Sequence, residues 1–154
     1  MAFELIATAT GSRARRGALT TSHGTIATPV FMPVATRGTV RTQTRAQLER
    51  LAPPMLLANT YHLMQRPGAD TLERFGGLHT WMGWSGGILT DSGGFQIFSL
   101  KEGASTSEEG ATLRNPADGK TLLLTPEQSI AMQRTIGSDI AMVLDQCVDA
   151  TSPL

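Results

Sequence analysis

The segment Thr90-Asp91-Ser92-Gly93-Gly94-Phe95-Gln96 sets a carboxylate, a hydroxyl, an aromatic ring and an amide directly after the apolar run Gly87-Ile88-Leu89. A positioned carboxylate can move a proton, and a ring beside flexible backbone can stack on a flat base. The glycine pair lets the backbone turn sharply and come close to a ligand. Taken alone, Asp91 reads as a turn residue, since Asp before Ser-Gly-Gly is good turn chemistry. Asp145 changes that reading by closing a second apolar run, Ile140-Ala141-Met142-Val143-Leu144. Two carboxylates on neighbouring strand ends would face one pocket and divide labour, one transferring a proton and the other gripping a substrate edge.

Other chemistries fit these residues poorly. Asp-Ser-Gly-Gly also surrounds the nucleophile of some serine proteases, but that reading needs a His base oriented by an acid. His23, His62 and His79 lack that context. A G-x-S-x-G elbow is excluded because Thr90 stands where its first glycine belongs. Gly86-Gly87 and Gly93-Gly94 match neither phosphate-binding glycine pattern. His62 has no second ligand four residues on and reads as a structural histidine, and Cys147 reads as a small buried apolar residue.

The elements that would position these residues follow an α/β alternation. Residues 1–28 read as an antiparallel entry segment with Gly-containing turns. Val30-Phe31-Met32-Pro33-Val34 is a first apolar strand, and Thr44-x-x-Gln47 is a capping box opening a helix to about Leu51. Met55-Leu56-Leu57-Ala58 is a second strand, ending in Asn59-Thr60 and followed by Arg66-Pro67-Gly68 and a helix over 70–75. Ile88-Leu89 is the third. Thr125-Pro126-Glu127-Gln128 caps a helix stopped by Gly137, and 140–144 is the fourth strand. Residues 97–124, with turn signals at Asn115-Pro116 and Asp118-Gly119, read as a hairpin inserted in a βα loop. Strands alternating with helices predict a parallel sheet, whose ligands bind at the carboxyl ends of its strands.

Composition narrows the class. The 154 residues carry 13 basic and 13 acidic side chains, a net charge of zero, with 40% hydrophobic residues, which excludes a disordered or highly charged chain. Arg13, Arg15 and Arg16, then Arg37, Arg41 and Arg45, could meet phosphates, although clusters this small are more often solvated. No apolar stretch approaches the roughly 20 residues that span a bilayer, and the start lacks a secretion signal, so the expected location is cytoplasmic. A single cysteine excludes an internal disulfide or a multi-thiolate zinc site in these residues.

Five ordered segments together carry a more specific message. They are Thr28-Pro29-Val30-Phe31-Met32-Pro33-Val34, Leu57-Ala58-Asn59-Thr60-Tyr61-His62-Leu63, Arg66-Pro67-Gly68, Leu89-Thr90-Asp91-Ser92-Gly93-Gly94-Phe95-Gln96 and 139–147. Across essentially the whole chain they resemble the bacterial tRNA-guanine transglycosylases. That family exchanges guanine at the tRNA wobble position for a 7-deazaguanine, prequeuosine or queuine, through a covalent tRNA intermediate. The resemblance implies a (β/α)8 TIM barrel with an added N-terminal antiparallel sheet, of which this chain would hold 1–28 and the first four βα units over 29–154. It implies Asp91 as general acid/base and Asp145 as the carboxylate that takes two hydrogen bonds from the base. It further implies Phe95 stacking on that base with Ser92 and Gln96 nearby, Asn59 and Thr60 holding Asp91 in the empty pocket, and Cys147 beside it. Gln146 departs from the Glu of bacterial members and removes a negative charge.

By the same resemblance the nucleophilic aspartate and the Cys/His zinc ligands lie in segments beyond Leu154. The chain then reads as an N-terminal part, with no metal site of its own, inactive alone and homodimeric when full length. The alternative from another class is a non-catalytic accessory subunit binding tRNA or the catalytic subunit.

Overall fold

A computed structural model describes residues 1–99, 104–114, 119, 121–145 and 147. The elements run β1 (Ala2–Thr8), β2 (Arg15–Thr21), β3 (Gly24–Thr28), α1 (Arg45–Leu51), β4 (Met55–Ala58), α2 (Thr60–Gln65), α3 (Ala69–Arg74), α4 (Leu78–Met82), β5 (Gly87–Thr90), α5 (Gly94–Ser99), β6 (Ser105–Ser107), β7 (Gly110–Arg114), β8 (Thr121–Leu124), α6 (Pro126–Ile136) and β9 (Ile140–Ala141). The strands form three sheets of three, so the chain is mixed α/β.

The entry sheet is antiparallel in the order β1-β2-β3. β1 is exposed along its length, and Ile26 of β3 is buried. The central sheet is parallel in the order β4-β5-β9, with Leu57 level with Leu89 and Leu89 level with Ile140. Its near-continuous apolar strands are covered on both faces, as a parallel sheet requires. One cluster gathers Ala58, Ile88, Leu63, Leu72, Leu78, Met132 and Ile136 from β4, β5 and four helices. A second joins Leu56 to Ala35 and Leu48.

Local signals in the sequence place several elements well. Thr44 and Thr125 both cap their helices with reciprocal bonds to Gln47 and Gln128, and Gly137 ends α6 in the left-handed region at φ 75°. Other expectations are corrected. Residues 30–34 form no strand, only a parallel bridge at Val34 to Leu57, because Pro29 and Pro33 have no N–H to offer a ladder. The expected fourth strand is cut from 140–144 to Ile140–Ala141. The Met142 N–H is shared between the Thr90 carbonyl of β5 at 3.3 Å and the Gln133 side chain at 2.9 Å, and beyond it Val143 is exposed. Within the expected hairpin insertion over 97–124, β7 and β8 pair antiparallel from Arg114 with Thr121 to Ala111 with Leu124, and β6 adds a third strand after helix α5. Its turn signals Asn115, Pro116 and Asp118 lie outside the described residues. Tyr61, Leu113 and Leu124 fasten this sheet to α2.

Gln133 is the buried brace behind the site. Its Oε1 accepts from Thr90 Oγ1 at 2.8 Å and from the Met142 N–H. Its Nε2 donates to Ser129 Oγ at 3.1 Å and to the Met142 carbonyl at 2.8 Å. Every hydrogen-bonding position of the amide is thus used. Gln133→Leu is expected to destabilise the chain by about 2 kcal/mol, because it strands the Met142 carbonyl and leaves the Met142 N–H only its longer bond to the Thr90 carbonyl. Urea unfolding checks this, and an unchanged midpoint would refute the brace.

Candidate functional site at the ends of the parallel strands

Asp91 follows the last residue of β5, and its backbone N–H still bonds Ala58 of β4 at 3.2 Å. Its carboxylate is held from two sides. The Asn59 side-chain amide donates to Oδ2 at 2.6 Å and the Thr60 N–H donates to Oδ1 at 2.7 Å. Thr60 Oγ1 also donates to the Asp91 carbonyl at 2.5 Å. The strand-to-helix step from β4 to α2 therefore delivers three donors to one aspartate.

Ser92 faces the other acid. Its Oγ donates to Asp145 Oδ1 at 2.5 Å and accepts the Gly94 N–H at 3.0 Å, while its carbonyl accepts from Ser129 Oγ at 2.7 Å. One side chain thus joins the loop after β9 to the loop after β5. Gly94 makes the approach possible: a Cβ there would run into the Asp145 carbonyl and carboxylate. Its torsion is not in the left-handed region, so space alone requires glycine. Gly93, at φ 86°, needs the conformational freedom as well.

The two acids do not line one cavity. A cavity of about 420 Å³ is bounded by Gly94, Leu144, Asp145 and Cys147 on the sheet side and by residues of β6 and β7, with Glu108, on the other. Asp91 is missing from its walls, because its carboxylate is occupied by Asn59 and Thr60. Phe95 is 59% exposed, whereas Gln96 is buried with its Oε1 unpartnered among the described residues. Gln146 lies outside the described residues.

Two further groups border the acids. Cys147 Sγ lies 3.6 Å from Asp145 Oδ2, and desolvation, then the charge of Asp145 and this bond, raise its pKa. The thiol is therefore expected to alkylate slowly at neutral pH, and Asp145→Asn to speed iodoacetamide labelling a few-fold by removing that charge. Equal rates in both proteins would show that Asp145 does not govern the thiol. His62 is half-buried with Nδ1 unpartnered among the described residues. Burial and then the charge of Arg37 lower its pKa, against the pull of Asp91. Its sequence context suggests only a structural histidine and gives no sign of this position between two charges.

The family model described as queuine tRNA-ribosyltransferase matches residues 10–153. The chain belongs to that family. The queuine tRNA-ribosyltransferase of Methylacidiphilum infernorum (isolate V4) is 51% identical over 147 residues, which are 96% of this chain and 39% of that protein. The enzyme of the same name from Moorella thermoacetica is 55% identical over 135 residues, 88% of this chain and 36% of that protein. The chain spans less than two fifths of the length of these relatives.

Queuine tRNA-ribosyltransferases are expected to carry zinc, and the described residues do not fit it. Their one group of three ligand-type side chains is His23, His79 and Asp139, with ligand atoms within 4.8 Å of one another. The two imidazoles are stacked 3.6 Å apart at 11°, so their lone pairs run parallel and do not converge. The atoms facing Asp139 and Gly86 are engaged in hydrogen bonds. Cys147 is paired with Asp145 instead. Among the described residues no helix is long and apolar enough to cross a membrane.

Proposed function

We propose that these residues supply the base-handling half of a tRNA-guanine transglycosylase, the whole protein exchanging guanine in tRNA for a 7-deazaguanine. One observation carries the reading: Ser92, the neighbour of Asp91, is hydrogen-bonded to Asp145, tying two carboxylates to the ends of adjacent parallel strands. The array of the Val34 bridge, β4, β5 and β9 runs parallel and in chain order, which supports the first four strands of a (β/α)8 barrel with the entry sheet added.

In this reading Asp91 donates a proton to the departing guanine as its bond to the ribose breaks. It then recovers one from the incoming base as the new bond forms. Both its oxygens are occupied at rest, so it enters the reaction by exchanging a bond from Asn59 or Thr60 for one to the base. Asp145 accepts two hydrogen bonds from the N–H and amino edge that guanine and 7-deazaguanines share, with Ser92 fixing the orientation of its carboxylate. Phe95 stacks on the base and Gln96 and Cys147 border it. The attacking carboxylate and the zinc site belong to segments of the relatives that these residues do not include, and the whole protein is a homodimer. The setting is the cytoplasm, where the tRNA substrate resides.

Joining this chain to the remaining segments of the Moorella thermoacetica relative tests the proposal. The chimera is expected to incorporate labelled guanine into tRNA, and the chain alone is expected not to. A folded chimera that binds tRNA but exchanges no base would favour the accessory-subunit reading instead.

A further inference from the structure

The strongest unassigned cluster sits at the opposite pole, at the amino ends of the same strands. Asp139 precedes β9 and clips itself to β5 twice. Its N–H donates to the Ile88 carbonyl at 2.8 Å, and its Oδ2 accepts the Ile88 N–H at 2.9 Å. Its side chain is fully buried. The turn between β2 and β3 reaches down to that carboxylate: Ser22 Oγ donates to Oδ1 at 2.6 Å, and His23 Nδ1 lies 2.8 Å from Oδ1 and 3.0 Å from Oδ2. His79 of α4 closes the group from the other side. Its ring stacks on His23 at 3.6 Å, and its Nε2 lies 3.0 Å from the Gly86 carbonyl and 3.7 Å from Asp139 Oδ2. Ile26 lies alongside, its Cδ1 3.1 Å from where a Cβ on Gly87 would be.

We propose that Asp139, His23 and His79 form a proton-sensitive latch fastening the N-terminal antiparallel sheet to the amino ends of β5 and β9. The charge arrangement dictates its direction. His23 turns Nδ1 to a carboxylate, so that nitrogen carries a proton. His79 turns Nε2 to a carbonyl, which can only accept, so that nitrogen carries its proton too. A further proton on His79 would place a charged, half-buried ring flat against His23, with one carboxylate to serve both. Burial and then the neighbouring His23 lower the pKa of His79, outweighing the Gly86 bond and Asp139. The bonds from Ser22, His23 and Ile88 overcome the burial of Asp139 and bring its pKa from 3.8 to about 2.

The signs agree. A histidine whose folded pKa is lowered contributes stability above its ordinary value of 6.5, and loses it as pH falls below. An aspartate whose folded pKa is depressed contributes above 3.8, and loses it as pH falls towards 2. The latch therefore closes at neutral pH, loosens first through His79 and opens fully only in strong acid. Ser22, the Gly86 carbonyl and the Ile88 N–H are its uncharged partners, and Asp139 is its one anion.

Amide hydrogen exchange of the whole chain at about pH 7.5 and about pH 5.5, corrected for intrinsic rates and run in EDTA, tests the latch. The protection of β2 and β3 is expected to fall about three- to tenfold at the lower pH while α6 changes less than about twofold. His79→Phe keeps a ring in the stack but has no proton to gain, so its β2 and β3 protection is expected to be the same at both pH values. Should that variant not fold, His79→Gln, whose amide can still meet Gly86, makes the same comparison. Asp139→Asn is expected to lower the protection at both pH values. The latch is overturned if the wild-type sheet shows no pH response or loosens together with α6. It is equally overturned if the His79 variant keeps the full response, or if the response appears only when EDTA is left out, which would assign it to a bound metal.

Discussion

Asp91→Asn, introduced into the active chimera, is expected to lower guanine exchange by about 10²–10⁴-fold while leaving tRNA binding within about twofold. The substitution keeps the shape of the side chain. The amide that replaces the carboxylate can still accept the Thr60 N–H through its carbonyl, and rotating the Asn59 amide restores the second contact, so the fold is expected to persist. What disappears is a group that can give and retake a proton. The loss should therefore fall on kcat, and circular dichroism should match the parent protein. A variant with exchange within tenfold of the parent would remove Asp91 from the chemistry and leave it a turn residue.

The second large effect concerns a residue with no functional group. Gly94→Ala adds one methyl where the Asp145 carbonyl and carboxylate already stand. Because the backbone at Gly94 is in an ordinary region, Ala meets no torsional penalty, and the whole cost is overlap. Overpacking of this kind costs about 1–3 kcal/mol unless the neighbour moves. The neighbour here is an exposed loop residue, so Asp145 is expected to give way and lose its bond to Ser92. The chimera should then show a KM for the base raised about 10–100-fold, the cost of one or two misplaced hydrogen bonds. Asp145→Asn should produce the same defect, and the double variant little more than either alone. Independent, multiplying defects, or a Gly94→Ala protein with unchanged KM, would show that the close approach has no part in base binding.

Much of this is readable from residues near one another in sequence. The capping boxes at Thr44 and Thr125, the stop at Gly137, and the strands Met55–Ala58 and Gly87–Thr90 rest on local chemistry and short apolar runs. The short helices Thr60–Gln65, Leu78–Met82 and Gly94–Ser99 give no such signal. The first two have no side-chain cap, and packing by Tyr61, Leu63 and Leu78 holds them. The overlong fourth strand shows the same limit. Its apolar residues promise pairing up to Leu144, but the ladder ends at the Met142 N–H, which Gln133, nine residues earlier, shares with the Thr90 carbonyl.

The site divides along the same line. Asn59, Thr60 and Asp91 can be placed together because their strands are neighbours and the family resemblance joins them. The glycines read as room for a ligand, whereas at Gly94 that room holds Asp145. The His23, His79 and Asp139 cluster gives no signal: His23 and Asp139 are 116 residues apart, and each has an ordinary local setting.

The 420 Å³ cavity has two walls of different origin. Asp145, Gly94 and Cys147 come from the segments that follow β5 and β9, with Gly94 packed and Asp145 held there by Ser92. The facing wall, from Ala104 to Ala111, belongs to a separate antiparallel sheet anchored chiefly by Tyr61, Leu113 and Leu124. If the cavity takes the base as proposed, substitutions on that wall reshape the space around it without touching Asp91, which does not line it. Natural variation in which ring substituents are admitted should accordingly accumulate along 104–111, leaving the strand ends under a different and stricter selection.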